Sequence, residues 1–313
     1  MPRFDRYVVV DWSAASRPVT GTDSIWIAVL DHAGTPRLVN PPTRAAARTV
    51  LHDQRDPTGR TLLAVDASLG YPAGTAAWFG LDTSSPWRAM WRTVSGLLAD
   101  GPDNRNNRFD VADELNRRGG DSPGPYWGRP PALDLAALPT TKPSAFPVGE
   151  FRRCESRLRE RGRRPASGWQ LLGAGSVGSQ TLTLLPVLNE LLAGGGVEIW
   201  PFTTGPSPRE LAPGEILVVE IWPTMFDVTM FDVTMFDVTV SDGEPPVGNV
   251  RDAAQVDAVA TALRSADRDG ALDRWFTIDL VGRDLAAAVD EEGWILGITP
   301  LSGSGARECS AGG

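Results

Sequence analysis

Two short apolar segments that each end in an aspartate constrain the fold more than any other feature of the chain. Residues 7–11 read YVVVD and residues 61–66 read TLLAVD. Continuous apolar runs of this length are typical of strands that are buried on both faces of a sheet. A third such run, residues 216–222 (ILVVEIW), carries Glu220 inside it. An ionised carboxylate in such a place is costly unless a counter-charge or a metal ion compensates it.

The pattern around these segments predicts an α/β fold. Strands are expected at residues 24–31, 37–40 and 197–202, and helices at 43–53, 86–100, 180–193 and 249–266, with Thr43 and Asn249 as N-caps. Three strands, a helix and a fourth strand at the start of the chain favour a mixed sheet. Residues 101–167 are rich in Pro, Gly, Asn and Arg and predict a long central insertion into one domain of residues 1–300. Residues 301–313 predict a disordered tail.

Composition excludes several classes of protein. The 313 residues carry a formal charge of -9, which argues against non-specific coating of nucleic acid but allows a local basic groove. The two cysteines, Cys154 and Cys309, exclude a disulfide framework and a cysteine zinc site, and they predict a cytoplasmic location. No segment approaches about 20 apolar residues, and residues 1–12 lack a signal-peptide core. We therefore expect a soluble protein without a membrane partner, and no obligate protein partner is evident.

Four acids occupy comparable positions and together predict a metal site. Asp11 and Asp66 end apolar strands, Glu220 lies within one, and Asp252 falls in the first turn of the last predicted helix. Mg²⁺ and Mn²⁺ prefer oxygen ligands, so Asp11, Asp66 and Asp252 are the expected ligands, and all four acids are candidate catalytic residues. The alternative is that each acid is structural: Asp252 would be stabilised by the helix dipole, and Asp66 would cap a turn.

The order of several short motifs resembles one family over nearly the whole chain. YVVVDWSAAS, AVDASLGYP, FRRCESR, WQLLGAGSVGSQTL, VEIWPF, VVEIWPT and VRDAAQV follow one another as in the DUF429 family of predicted RNase H-like nucleases. The resemblance implies an RNase H-like mixed five-stranded sheet whose first three strands are antiparallel. It also implies acids on the first and fourth strands and near a late helix. Those positions correspond to Asp11, Asp66, Glu220 and Asp252, with Glu155 as a further candidate.

Residues 151–164 (FRRCESRLRERGRR) form the basic segment of this acidic chain. They hold seven arginines against two glutamates. Arg152, Arg153 and Glu155 are candidate substrate-binding residues, and the two arginines are expected to position a substrate phosphate. Trp127 is a candidate for stacking on a base. The alternatives are a solvated helix with Glu/Arg pairs and an aromatic side chain that packs the insertion onto the body.

Residues 173–178 (GAGSVG) match the glycine pattern of dinucleotide-binding loops, and Glu198 stands where a ribose-binding acid is expected. The preceding strand is short, so a tight approach between loop and sheet is the competing explanation. Gly175 and Ser176 are also candidates for holding a phosphate at a helix N-terminus. A serine hydrolase is excluded because the first glycine of G-x-S-x-G is absent, and His32 and His52 are too isolated to form a metal centre.

The pentapeptide MFDVT occurs three times in tandem, beginning at Met225, Met230 and Met235. A five-residue repeat keeps a constant face neither in a strand nor in a helix. The surplus over one copy is ten residues, which preserves the alternation of a strand. We therefore predict a tolerated tandem duplication that lengthens a loop or an edge hairpin.

The sequence favours one function and leaves two alternatives. The preferred hypothesis is a metal-dependent nuclease or phosphodiester hydrolase that uses Mg²⁺ or Mn²⁺ and takes a nucleic acid or nucleotide substrate. One alternative is a non-catalytic nucleic-acid- or nucleotide-binding protein of the same fold. The other is a nucleotide-dependent phosphotransferase or dinucleotide-binding enzyme that uses the GAGSVG loop.

Overall fold

The computed structural model describes residues 2–120, 124–226 and 250–298. Within them, the strands are β1 (Arg6–Asp11), β2 (Trp26–Asp31), β3 (Arg37–Val39), β4 (Thr61–Asp66), β5 (Val197–Ile199) and β6 (Ile216–Glu220). The helices are α1 (Arg44–His52), α2 (Thr75–Trp78), α3 (Pro86–Leu97), α4 (Arg108–Arg118), α5 (Arg153–Glu160), α6 (Val177–Ala193), α7 (Arg251–Arg268) and α8 (Gly282–Ala287). Short 3₁₀ turns occupy Pro223–Phe226 and Leu272–Phe276, and a π turn occupies Ala288–Glu292.

The strands form one mixed sheet in the order β3-β2-β1-β4-β6-β5. β1 pairs with β2 and β2 with β3 in antiparallel fashion, whereas β4, β6 and β5 continue from β1 in parallel. The α/β class and the mixed sheet are thus confirmed. The resemblance implied five strands, and this count was wrong, because β5 (Val197–Ile199) is a sixth strand at the edge beside β6. The sequence pattern does predict a strand at this position. Pro201 lacks the N–H group that would continue this strand further.

Alternating side chains of the strands build two cores, one on each face of the sheet. On β1, Val8 and Val10 face the core that holds α3 and α6, whereas Tyr7 and Val9 face the core that holds α7. The first core buries Trp91 of α3 completely. Because both faces are covered by helices, the central strands are apolar throughout, as the sequence predicts.

The predicted helices are confirmed where the structure describes them. α1 begins at the cap residue Thr43, whose Oγ1 accepts a hydrogen bond from the backbone N–H of Ala46 at 3.1 Å. α6 starts three residues earlier than expected, at Val177, directly after the glycine-rich loop. The cap residue Asn249, residues 227–239 of the MFDVT repeats and the tail at 301–313 lie outside the described residues. None of the described helices is both long and apolar enough to cross a membrane.

Candidate functional site

The end of the sheet where β1 and β4 finish carries two aspartates side by side. The parallel register pairs Asp11 with Asp66, residue for residue. Neighbouring strands lie about 4.8 Å apart, so the two carboxylates share one small region. Alternation along β1 and β4 places them on the face of the sheet that packs against α7. The sequence-based expectation that these two acids meet agrees with this arrangement.

The environment of this aspartate pair disfavours two negative charges. Burial raises the pKa of Asp11 to about 8, and the charges of Asp66, Asp252 and Asp23 add to this effect. Burial, together with the charge of Glu220, raises the pKa of Asp66 to about 7. Among the described residues, no hydrogen-bond donor and no cationic side chain contacts either carboxylate. Binding of a proton or a cation would therefore stabilise the pair.

Two further acids surround Asp11 at the mouth of a cleft. Asp252 lies in the first turn of α7, and its Oδ2 accepts a hydrogen bond from the backbone N–H of Asp23 at 2.9 Å. Asp23 has φ 57° and lines the cleft together with Asp11 and Asp252. Sequence reasoning missed Asp23, although an antiparallel pairing of the first two predicted strands would have placed it near Asp11. Since β2 runs antiparallel to β1, their connection must start at the end of the sheet where Asp11 lies.

The three expected metal ligands are not equivalent in the structure. In the part of the chain that the structure describes, no group of three or more His, Cys, Asp or Glu side chains is arranged to hold one ion. Asp11 and Asp66 are adjacent, whereas Asp252 lies nearby on the helix and is already bonded to Asp23. Mg²⁺ is often held by one or two protein carboxylates, with waters and substrate phosphates completing its shell. The aspartate pair matches that mode of binding.

Glu220 lies on the other face of the sheet, because it pairs with Val65 rather than with Asp66. Its carboxylate accepts hydrogen bonds from Arg152 Nη1 at 2.7 Å and Nη2 at 2.5 Å, and from the N–H of Leu69 at 2.9 Å. The same guanidinium binds Glu155 Oε1 through Nη2 at 2.8 Å. Glu220 is buried, as expected, but its counter-charge is an arginine. Its catalytic role stays a prediction.

The expected substrate-binding residues Arg152, Arg153 and Trp127 do not line the cleft. Arg152 is fully occupied by Glu220 and Glu155, and Arg153 Nη1 contacts Glu292 Oε1 at 2.6 Å. Trp127 packs against the core beside α3 and α6, as the alternative explanation proposed. The arginine-rich segment 151–164 correctly indicated a concentration of positive charge. Its sequence did not reveal the acids elsewhere in the chain that neutralise this charge.

The glycine-rich loop, residues 173–176, forms the opposite wall of the cleft, and α6 begins directly behind it. Gly173 and Gly175 have φ of 92° and 75°, which favours glycine at both positions. Gly175 and Ser176 therefore reach the cleft as the sequence suggests. The residues before the loop form only an isolated bridge, between Trp127 and Gln170, so the strand that a dinucleotide fingerprint requires is missing here. Glu198 instead pairs with Arg209 at 3.1 Å.

Arg108 is the cationic side chain among the described residues that line the cleft, and no sequence motif singled it out. It is 8% exposed and lines the cleft together with the glycine-rich loop. Its Nε donates to Ser179 Oγ at 2.9 Å, and its Nη1 donates to Ser16 Oγ and Asn106 Oδ1, both at 3.0 Å. No described carboxylate forms an ion pair with it. Burial lowers the pKa of Arg108 to about 10, with a smaller contribution from the nearby charge of Arg44.

Hydrogen bonds hold the two walls of the cleft together. The Gln180 side chain donates to the carbonyl of Trp12 at 2.6 Å, and Trp12 Nε1 donates to Thr183 Oγ1 at 3.0 Å. Both bonds connect α6 to the residue that follows Asp11. The cleft volume is about 700 Å³, which lies within the range of small-molecule and cofactor sites. The space thus suits a ligand of nucleotide size between a carboxylate wall and a cationic, glycine-rich wall.

Comparison with known proteins finds no matching family model, no matching curated protein and no matching solved structure.

Proposed function

We propose that the protein is a Mg²⁺- or Mn²⁺-dependent phosphodiester hydrolase that acts on a nucleic acid or a nucleotide. The observation that carries this proposal is the aspartate pair, Asp11 and Asp66, which is buried, in register and has no counter-charge among the described residues. A pair in this state binds a hard divalent cation favourably, because the cation removes the repulsion between the two charges. The glycine-rich loop and Arg108 across the cleft suit a negatively charged substrate.

We also propose that the sheet is RNase H-like, as the resemblance to the DUF429 family implies. The support is topological: an antiparallel β3-β2-β1 unit is followed by the parallel strand β4, and acids end both β1 and β4. In this arrangement β5 is an additional edge strand. The late helix α7 carries Asp252 at the expected end of the sheet.

The residues of the chain have distinct tasks in this proposal. Asp11 and Asp66 would hold the ion, and Asp252 would keep the loop that contains Asp23 against the cleft. A bound divalent ion polarises a phosphoryl oxygen and lowers the pKa of a bound water. Because the free pair retains protons near neutral pH, we expect ion binding to release protons and to weaken in acid. Arg108 and the glycine-rich loop would orient the substrate phosphate.

Thermal unfolding with and without Mg²⁺ or Mn²⁺ tests whether the ion site exists. A ligand that binds only the folded state at 100 times its Kd adds about 2.7 kcal/mol of stability. We expect the Tm of the natural chain to rise with either ion, and Asp11→Asn and Asp66→Asn to remove the rise. Asp31→Asn is the matched control, since Asp31 also ends a strand but lies at the opposite end of the sheet. An unchanged Tm in the natural chain contradicts the metal site.

Cleavage of single-stranded and duplex DNA and RNA, and of a dinucleotide, tests the reaction itself. We expect ion-dependent hydrolysis that falls roughly a hundredfold or more in Asp11→Asn, since a hundredfold corresponds to about 2.7 kcal/mol of lost transition-state stabilisation. The Asp31→Asn control should retain its rate. An ion-dependent Tm shift without cleavage of any of these substrates would favour a binding protein.

A nucleotide-dependent phosphotransferase is the second candidate function. The position of the glycine-rich loop in the cleft supports it. Gly175 and Ser176 line the same space as Asp11, so a nucleotide phosphate and an ion could occupy it together. ATP-dependent stabilisation combined with transfer to an acceptor, in place of phosphodiester cleavage, would support this alternative.

A further inference from the structure

We infer that the cleft contains a dedicated phosphate-binding subsite, formed by Arg108 and the loop 173–176, which works without the metal ion. The ligand class is a phosphate group of a nucleotide-sized substrate. Assigning this phosphate to the substrate rests on the proposed function. The binding of a phosphate anion is independent of the proposed function, because none of the groups that would contact the anion is a proposed ion ligand.

The first support is the state of the Arg108 side chain. More than nine-tenths of the residue is buried, yet the partners of its Nε and Nη1 are neutral oxygens of Ser179, Ser16 and Asn106. Its Nη2 has no acceptor among the described residues.

Burying a guanidinium without a counter-ion is unfavourable. Among the described residues, the two other buried arginines both have carboxylate partners: Arg44 pairs with Asp100, and Arg152 pairs with Glu155 and Glu220. Asp100, whose charge also acts on Arg108, is thus already bound by Arg44. Arg108 therefore lacks a counter-ion, and an anion bound in the cleft would provide one.

The second support is the set of backbone donors in the loop. The N–H groups of residues 173–176 have no acceptor among the described residues, and all four residues line the cleft. By contrast, Gly178 in the first turn of α6 already donates to the carbonyl of Gln170 at 3.0 Å. Alternating left-handed glycines, here Gly173 and Gly175, produce a concave arrangement of N–H groups that is suited to anions. The positive end of the α6 dipole adds to this effect.

The two supports converge through Ser179. It lies in the first turn of α6, accepts from Arg108 Nε at 2.9 Å and donates to the carbonyl of Leu171 at 2.6 Å. The guanidinium is thereby fixed against the base of the loop. An anion that entered the loop would meet both the N–H groups and a rigid cation, in the fork geometry that suits phosphate.

Calorimetric titration of the metal-free protein with inorganic phosphate and with pyrophosphate tests the subsite. We expect saturable binding that weakens at least tenfold in Arg108→Gln and less in Arg108→Lys, which keeps the charge. Arg118→Gln is the control, because Arg118 lies on the same helix but on the surface, paired with Glu114. Binding to Arg108→Gln that equals binding to the natural chain overturns the inference, as does the absence of saturable binding to the natural chain.

A second pair of variants keeps the test decisive if Arg108→Gln fails to fold. Ser176 is the N-cap residue of α6 and makes no capping hydrogen bond with its side chain. Aspartate and asparagine are both favourable at an N-cap, so Ser176→Asp and Ser176→Asn should fold equally well. The aspartate would occupy the loop N–H groups and repel a second anion. We expect phosphate to bind at least tenfold more weakly to Ser176→Asp than to Ser176→Asn, and equal binding rejects the subsite.

The outcome can be separated from that of the proposed function. If phosphate binds but the ion-dependent Tm shift is absent, the subsite stands and the hydrolase proposal falls. If the Tm shift is present but neither phosphate nor pyrophosphate binds to the metal-free protein, only the subsite falls. Asp11→Asn should retain phosphate binding, because Asp11 is not one of the groups that would contact the phosphate.

Discussion

At the scale of single residues, the buried acids divide into two kinds according to their partners. Glu220 and Glu155 are buried beside Arg152, and together with it they form a compensated group that fixes the chain. Asp11 and Asp66 are buried beside each other and have no such partner within the described residues. The fold itself neutralises an acid that is paired with an arginine. Two adjacent acids without such a partner are neutralised only by protons or by a bound cation.

This difference predicts a pH dependence of stability in the metal-free protein. The pKa values of Asp11 and Asp66 rise on folding from 3.8, so the folded state binds more protons between about pH 4 and pH 8. The free energy of unfolding should therefore fall as the pH rises through that range. Asp11→Asn should be more stable than the natural chain at pH 8 by one to a few kcal/mol, since one pKa unit corresponds to about 1.4 kcal/mol, and should lose this advantage at pH 4.

Urea unfolding in EDTA at pH 4, 6 and 8 provides the measurement. Carboxylates with lowered pKa values, such as Asp5 and Glu215, lose their stabilising effect only below their ordinary pKa values of 3.8 and 4.5. They therefore contribute little to the change between pH 6 and pH 8. Asp31→Asn should follow the natural chain at each pH. If the free energy of unfolding fell between pH 6 and pH 8 as much in Asp11→Asn as in the natural chain, the assigned pKa direction would be contradicted.

At the scale of elements, α6 sets the position of the glycine-rich wall. The helix packs so closely on the segment before it that a Cβ at Gly178 would lie 2.6 Å from the carbonyl oxygen of Gly168 and 2.8 Å from that of Gln170. Both neighbours are backbone atoms, so they cannot move aside alone. The glycines of GAGSVG thus serve different purposes: Gly173 and Gly175 shape the loop, and Gly178 allows the helix to approach it.

We expect Gly178→Ala to destabilise the protein by about 1–3 kcal/mol, because the added methyl group forces the backbone apart. Gly96→Ala is the matched control: Gly96 is also in a helix, and no atom lies within 4 Å of its added Cβ. That substitution should stabilise α3 by about 0.5–1 kcal/mol. Chemical denaturation of the two variants measures both effects. Destabilisation of equal size in both variants would contradict the close approach at Gly178.

At the scale of the whole molecule, the segment expected to be an insertion is built into the core. Leu115, Tyr126 and Leu138 are completely buried in the same cluster as Val8 and Val10 of β1. Asn116 ties this region together, because its Nδ2 donates to the carbonyls of Tyr126 at 2.9 Å and Ala137 at 2.8 Å. Residues 101–167 share the sheet's core and supply Arg108 to the cleft.

We therefore expect one cooperative unfolding transition for the described body of the chain. Near-ultraviolet circular dichroism, which reports the packed tryptophans, and far-ultraviolet circular dichroism, which reports the helices, should give coincident midpoints in urea. An insertion that folds separately would unfold in a transition of its own. Two midpoints separated by more than the experimental error would contradict a shared core.

The sequence alone determined the local elements and the acids at the strand ends. Strand runs such as 61–66 and helix caps such as Thr43 depend on neighbours a few residues away, so their patterns can be read directly. The tertiary structure decided which charges meet. Arg152 and Glu220 are 68 residues apart, and Arg108 and Ser179 are 71 residues apart. The uncompensated charge of Asp11 and Asp66, the neutralised arginines of 152–153 and the cation of the cleft all follow from such long-range contacts, because a counter-charge is defined by distance in space.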